Sequence, residues 1–319
     1  PPEPEVLNRL VWQAISGGTA GFTFWQYRSE RVGNETNGWG MRNIDGSPTE
    51  RSEVCDSIAG ILRDHGSALV GTDRESSKIK LLYNRKADVI ARVQCMTQSE
   101  IIINGNNLEG GGNPGFYKQA ISNAHSMYLL MGEAMDWAVP GDNLDGTELL
   151  HVTADEIADA SCADWLRDYV ENGGKLIVEM PFACRDANTW VSLKRPNHNL
   201  DDLLGCKESL RVIAGNDDSV TFSNDETVKA FSWRIELEAT TGKVLASWNN
   251  GIPASVLNTF GKGRVLTLGQ SLSMSFTGSS TGPAFKTLKG FIEYTLEVKI
   301  NKDDLPEGVW IRKRSNEEH

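Results

Sequence analysis

Residues 148–180 read ELLHVTADEIADASCADWLRDYVENGGKLIVEM. The run opens on ELLHV at 148–152, an apolar stretch of strand type. Thr153-Ala154-Asp155-Glu156 follows, a hydroxyl residue with an acid three positions on, which predicts a helix start. Residues 158–171 space Trp165, Leu166, Tyr169 and Val170 for one helical face, so they predict a helix with those side chains inward. Gly173-Gly174 ends it. KLIVEM at 175–180 is then a continuous apolar run, as in strands covered on both faces. Strand, helix and strand in this order predict a parallel pair with a crossover helix, the unit of a doubly wound α/β sheet.

The neighbouring sequence extends that sheet in both directions. Upstream, KIKLLY at 78–83 predicts a strand and 136–139 a second short one. Between them, 104–115 is a loop rich in glycine and asparagine. Residues 116–134 form a helix that turns Phe116, Ala120, Ala124, Met127 and Met131 to one side. Downstream, Asp201-Asp202 starts a helix. From Leu210 the composition shifts to short alternating strands, at 219–222, 231–237, 243–248, 254–259 and 264–268. Gly261-Lys262-Gly263 between two apolar runs is a hairpin signal. Residues 283–296 predict a helix with Phe285, Leu288, Phe291, Ile292 and Leu296 on one side, and Val309 to Arg312 begin another strand.

The first 70 residues are a different object. Residues 5–16 predict a helix closed by Gly17-Gly18, and 21–27 (GFTFWQY) an aromatic-rich strand. A polar loop runs to Pro48. Ser47-Pro48-Thr49-Glu50 starts a helix over 52–63 that carries Val54, Ile58, Ile61 and Leu62 inward. Helix, strand, long loop, helix is the closing stretch of a (β/α) barrel and far too little to form one alone. Polar residues 66–77 read as a linker.

Composition limits the function classes. The chain has 319 residues, 39% hydrophobic and 24% charged, with a net charge of -11 and a pI near 5.0. That size accommodates two domains. The acidity disfavours nucleic acid and anionic membranes as partners, both of which need a basic surface. The apolar runs are too short to span a bilayer. The Pro-Pro-Glu-Pro start has no signal-peptide pattern and reads as a fragment boundary. Five scattered cysteines with no CxxC pair predict neither zinc nor a disulfide scaffold, and point to a reducing, cytoplasmic setting. No cofactor or metal is expected.

One cluster carries recognition chemistry. Arg28, Glu30, Arg31, Glu35, Asn37 and Trp39 follow the 21–27 strand. A carboxylate, a guanidinium, an amide and an indole suit the hydrogen bonding and stacking of a sugar, although a salt-bridged, solvated loop has the same composition. Elsewhere, Cys184 follows a strand where an amidotransferase-like fold would place its nucleophile elbow, but without the flanking glycines. His125 and His151 read as structural. Asp142 and Asp145 only loosely suggest a calcium loop, and Gly110-Gly111-Gly112 is not a phosphate motif.

Taken in order, these segments resemble the C-terminal portion of glycoside hydrolase family 42 β-galactosidases. The carriers are GFTFWQYR with Gly33, Glu35 and Trp39-Gly40-Met41, then LLHVTADEIADA, WLRDYVENGGKLIVEMPFACRDANTW, LDDLLG, GKGRVLTLG and LPEGVWIRKR. The resemblance implies three parts. Residues 1–70 would be the last βα unit of a TIM barrel. Residues 71–297 would be a trimerisation domain, flavodoxin-like or glutamine-amidotransferase-like with added strands, and 298–319 the start of a small β-domain. It implies a terminal β-galactoside or related sugar as substrate, and a homotrimer. Glu35 would bind the sugar, and Trp25 and Arg28 would shape the pocket floor. The family's pocket histidine has no direct counterpart; Trp39 or Asn37 stands there. Retaining glycosidases use two carboxyls about 5 Å apart. In this family both precede the last barrel strand, so the resemblance assigns this chain no catalytic residue.

Overall fold

The computed structural model describes residues 2–33, 35, 36, 40–95, 115–222, 227–275, 283–300, 309 and 311–315. They form two compact units, one from the residues up to 76 together with those from 312, the other from 77–311. Among the described residues no helix is long and apolar enough to cross a membrane.

The larger unit is built on a mixed sheet. Strands β2 (Ile79–Leu82), β3 (Asp136–Ala138), β4 (Leu149–Thr153), β5 (Lys175–Glu179) and β12 (Gly263–Leu268) run parallel in the order β3-β2-β4-β5-β12. Beyond β12 the sheet continues antiparallel through β11 (Pro253–Phe260), β10 (Lys243–Trp248), β7 (Ser219–Phe222) and β8 (Thr227–Lys229). The hairpin signal at Gly261-Lys262 closes β11 onto β12, with Phe260 opposite Gly263 and Gly261 at φ 56°. Strands β6 (Cys206–Ile213) and β9 (Trp233–Ala239) form a separate antiparallel ribbon.

Period-two alternation divides the core between the two faces of this sheet. Leu149, Ile177 and Leu266 face one cluster with Ala120, Ala124, Met127 and Tyr128 of α4 (Gly115–Leu130). Leu150, Leu176, Val178 and Val265 face the other, with Leu166 and Val170 of α5 (Ala160–Glu171). Helices on both faces explain why LLHVT and LIVE are buried almost throughout.

Two expectations change here. Thr153 is the last residue of β4, so the capping signature after it is not used. Asp159 caps α5 instead, its side chain accepting from Cys162 N. Residues 85–95 form a helix, α3 (Arg85–Cys95), not anticipated from the sequence. Beyond the short helices α6 (Asp201–Leu204) and α7 (Leu272–Ser275), α8 (Pro283–Leu296) buries Ile292 and Leu296, while the side chains of Phe285 and Leu288 lie outside those described. The loop at 104–115, with Gly110 to Gly112, is outside the described residues except for Gly115.

The smaller unit packs α1 (Pro4–Ser16) on α2 (Glu50–His65) through Leu7, Val11 and Ile58. A capping box starts α2: Thr49 Oγ1 accepts from Ser52 N and Ser52 Oγ from Thr49 N. Strand β1 (Asp73–Arg74) pairs with β13 (Arg314–Ser315). The strand expected over 21–27 does not form. A strand exists only by pairing, and among the described residues here the one bridge joins Arg28 to Arg42.

Candidate functional site

The chain returns on itself at 26–42 in the smaller unit. Met41 N donates to Gln26 O and Arg42 N to Tyr27 O. Gly40 sits where no side chain fits: a Cβ there would stand 2.6 Å from Ser29 N. Ser29 Oγ accepts from Gly40 N, and Arg51 donates to Gly40 O. This return brings Trp25 and Glu35 together. The indole Nε1 donates to Glu35 Oε2 at 2.6 Å, and Gln26 Nε2 donates to the same oxygen at 3.3 Å. Trp25 is 71% exposed and Glu35 half-buried, so the ring face is open while its nitrogen is held. A fixed indole beside a carboxylate is one half of a sugar site: the ring stacks, the oxygens accept from hydroxyls.

The remaining candidates fall elsewhere. Arg28 does not join the pair; its side chain is exposed and its Nη1 lies 3.9 Å from where a Cβ on Gly46 would be. Asn37 and Trp39 lie outside the described residues. Gln26 was missed by sequence reasoning, because an amide in an apolar run gives no sign of its partner until the chain folds back. Tyr27 was missed too; Arg42 stands over its ring at 5.7 Å.

The larger unit holds its polar groups inside. At the C-terminal ends of β2 and β4, Asn84 Nδ2 donates to both oxygens of Asp155 and to Ile157 O, and Tyr117 Oη accepts from Asn84 N. Burial pushes the Asp155 carboxyl up to about 7, against the pull of the Asn84 bonds. A carboxyl raised by folding favours the native state below its unfolded value of about 3.9, and that gain is lost as the pH climbs toward 7. A carbon-13 titration of Asp155 should therefore show a midpoint near 7, and a midpoint below about 5 would contradict the assignment.

One strand further along the sheet, Glu179 is 1% exposed. Its Oε2 accepts from Thr153, Ser271 and Ser273 hydroxyls at 2.6, 2.9 and 2.6 Å, and its Oε1 from Ser273 N at 3.0 Å. His151 Nε2 lies 3.4 Å from Oε1, an ion-pair distance that does not qualify as a hydrogen bond, and His151 Nδ1 meets Tyr128 Oη at 3.0 Å. Burial raises the Glu179 carboxyl, but His151 and the hydroxyl donors outweigh it and hold the group below its usual range. With its lone pairs committed, this carboxylate is an anchor and has no opening to a substrate.

Cys184 does not have the character of a nucleophile. It is 1% exposed, and burial pushes its thiol up to about 11. The left-handed residue after β5 is Ala183, at φ 45°. Among the described residues no group of three His, Cys, Asp or Glu could hold a metal ion.

Comparison with known proteins agrees with this architecture. Residues 77–279 match the family model described as the β-galactosidase trimerisation domain. The β-galactosidase BbgII of Bifidobacterium bifidum is 21% identical over 282 residues, covering 84% of this chain and 39% of that protein. The β-galactosidase BgaB of a Geobacillus species is 22% identical over 318 residues, covering 94% and 43%. The crystal structure of the β-galactosidase from Bacillus circulans sp. alkalophilus superposes with a TM-score of 0.75 at 16% identity, over 93% of this chain and 42% of that one. The chain thus spans about two fifths of the length of the curated relatives it matches. With the model covering most of the larger unit and the fold shared with solved members, the chain belongs to the β-galactosidase trimerisation-domain family of glycoside hydrolase family 42.

Proposed function

We propose that this chain is the C-terminal part of a retaining, β-galactosidase-like glycoside hydrolase. It supplies one edge of the sugar pocket and the oligomerisation scaffold, while the catalytic carboxylates lie in chain that precedes it. The observation that carries the reading is the Trp25–Glu35 pair, with an exposed ring and a carboxylate whose described donors both use Oε2. The Oε1 atom is the acceptor for a sugar hydroxyl. Arg28, Asn37 and Trp39, on the same stretch of sequence, are carried with the pair as candidate sugar contacts. The name trimerisation domain supports a homotrimer, and the parallel order β3-β2-β4-β5-β12 follows the flavodoxin-like arrangement 2-1-3-4-5.

The smaller unit has the surface of something incomplete. An apolar hollow of about 1130 Å³ is lined by Val11, Ile15, Phe22, Phe24, Ile58 and Leu62. Tyr27 is 69% exposed on the same segment as Trp25. Large apolar surface of this kind calls for a partner, and the missing strands of a (β/α) barrel are that partner in this reading. The free thiols of Cys55, Cys162, Cys184 and Cys206 fit a cytoplasmic location.

The experiment compares Glu35→Gln with the unaltered protein in the full-length parent, on an aryl β-galactoside. A charge-assisted hydrogen bond to the sugar is worth about 1.5–3 kcal/mol, so kcat/KM should fall roughly 10- to 150-fold. An unchanged kcat/KM would remove Glu35 from the pocket. The purified chain of 319 residues should show no turnover; measurable hydrolysis by it would sink the division of labour. The second reading, a non-catalytic oligomerisation or carbohydrate-binding module, is favoured by the trimerisation description alone. It becomes the better one if the full-length parent cleaves no β-galactoside.

A further inference from the structure

The aromatic segment of the smaller unit turns one side chain inward. From Gly21 to Arg28 every residue is exposed except Gln26, which is half-buried between the open rings of Trp25 and Tyr27. The backbone on either side of its side chain is fixed by the return of the chain. Gln26 O accepts from Met41 N at 2.8 Å and Tyr27 O from Arg42 N at 2.9 Å. From that anchored position its amide reaches the Glu35 carboxylate, Nε2 donating to Oε2 at 3.3 Å.

A carboxylate held by one donor can still turn about that bond. The Trp25 indole grips Oε2 at 2.6 Å, and with this bond alone Oε1 would sweep around it. A second donor on the same oxygen, carried by a different side chain, fixes the direction in which Oε1 points. Glutamate has much rotamer freedom to lose when it is ordered, and a site that orders it in advance spares the substrate that cost. A neutral amide suits the task. A cation in its place would draw the carboxylate into an ion pair and compete with a sugar hydroxyl, and a second carboxylate would repel it.

We propose that Gln26 is a positioning residue of the sugar site. With Trp25 it orients the Glu35 carboxylate so that Oε1 is presented to a substrate hydroxyl, and it does not itself touch the sugar. This rests on the reading of Glu35 given above and deepens it by naming what sets its geometry. The amide bond is the longer of the two, so its loss should cost less than the loss of the carboxylate.

The test assays the full-length parent on an aryl β-galactoside, unaltered and as Glu35→Gln, Gln26→Ala and Gln26→Glu, between about pH 5 and pH 8. Gln26→Ala should raise KM about three- to tenfold at every pH and keep kcat, because Glu35 binds the sugar in ground and transition state alike. Gln26→Glu should divide the pH range. Its new carboxyl, raised by the carboxylate beside it, is protonated on the acid side and donates to Oε2 as the amide does; once ionised it repels Glu35. KM should be near native at the acid end and rise about tenfold toward the alkaline end. Arg28, Glu30, Arg31 and Arg42 are common to both proteins, so the ratio of their KM values isolates the new group. A native KM in Gln26→Ala beside a loss in Glu35→Gln overturns the inference and leaves the reading of Glu35 standing. Equal losses in both Gln26 variants at every pH mark Gln26 as packing only and overturn it. A KM in Gln26→Glu that improves as the pH rises means direct contact with the sugar and overturns it as well. A native kcat/KM in Glu35→Gln removes the reading and the inference together. Should Gln26→Ala fail to fold, the KM ratio of Gln26→Glu decides alone.

Discussion

Glu179→Ala is expected to cost the larger unit about 3–5 kcal/mol, enough to unfold many domains at 37 °C. The reason is what would remain. Three hydroxyls and the Ser273 amide lose their acceptor, and His151 keeps its place against an empty site. All of these groups are buried, and each unsatisfied donor costs about 1–3 kcal/mol. Glu179→Gln keeps the shape and one acceptor oxygen for the three hydroxyls, but sets its NH2 against Ser273 N, so it should cost less than the alanine without being neutral. The two also differ with pH. The native carboxyl is held below its usual range, so its contribution is present above the unfolded value of about 4.3 and lost as the pH falls through the folded one. Glu179→Gln should lack that acid-side loss. Urea unfolding followed by the buried Trp248 measures both effects. A loss below 1 kcal/mol for the alanine would mean that the cluster has another way to satisfy its donors.

This cluster shows what could be read from the sequence and what could not. ELLHV and KLIVEM are legible as central strands because a strand covered on both faces needs continuous apolar residues. The His and the Glu inside them are the exceptions, and a buried polar group must find a partner. Their pairing becomes visible only with the register, in which Thr153 stands opposite Glu179 and His151 opposite Ile177 on adjacent parallel strands. The same limit explains the capping error. Thr153-Ala154-Asp155-Glu156 and Thr49-Glu50-Arg51-Ser52 both offer a cap. Only the second is used, because β4 runs through Thr153 and Asp155 is drawn inside by Asn84. Helix α3 was hidden because its Val89, Ile90 and Val93 are β-branched residues that suit a strand as well as a helix, and the pairing of Asp88 with Arg92 shows only once the helix forms. At the candidate site, the sequence shows a cluster of the right residue types around Glu35. Which of them meet depends on the return at Gly40, a matter of backbone contact that composition does not encode.

Close approach of backbone decides the second large effect, at Gly269. It follows β12, where an alanine would ordinarily be welcome. A Cβ there would stand 2.1 Å from Ile235 O and 3.2 Å from Ala254 O. Neither carbonyl is free to retreat. Ile235 O accepts from the buried Trp248 Nε1, Ile235 N donates to Gly269 O, and Gly269 N donates to Ala254 O at 2.7 Å. The added methyl must therefore push the β6–β9 ribbon away from the main sheet and break those bonds together. Gly269→Ala is expected to cost about 3 kcal/mol or more, from overpacking and from buried groups left unpaired. Gly290, within α8, provides the opposite case. A Cβ there meets nothing within 4 Å, and an exposed helical glycine gives up about 0.5–1 kcal/mol relative to alanine. Gly290→Ala should therefore stabilise. Urea midpoints of the two variants should move in opposite directions from that of the unaltered chain. If Gly269→Ala were neutral, the ribbon would have to yield by more than an ångström without loss, and Ile235 could not be the point that pins it to the sheet.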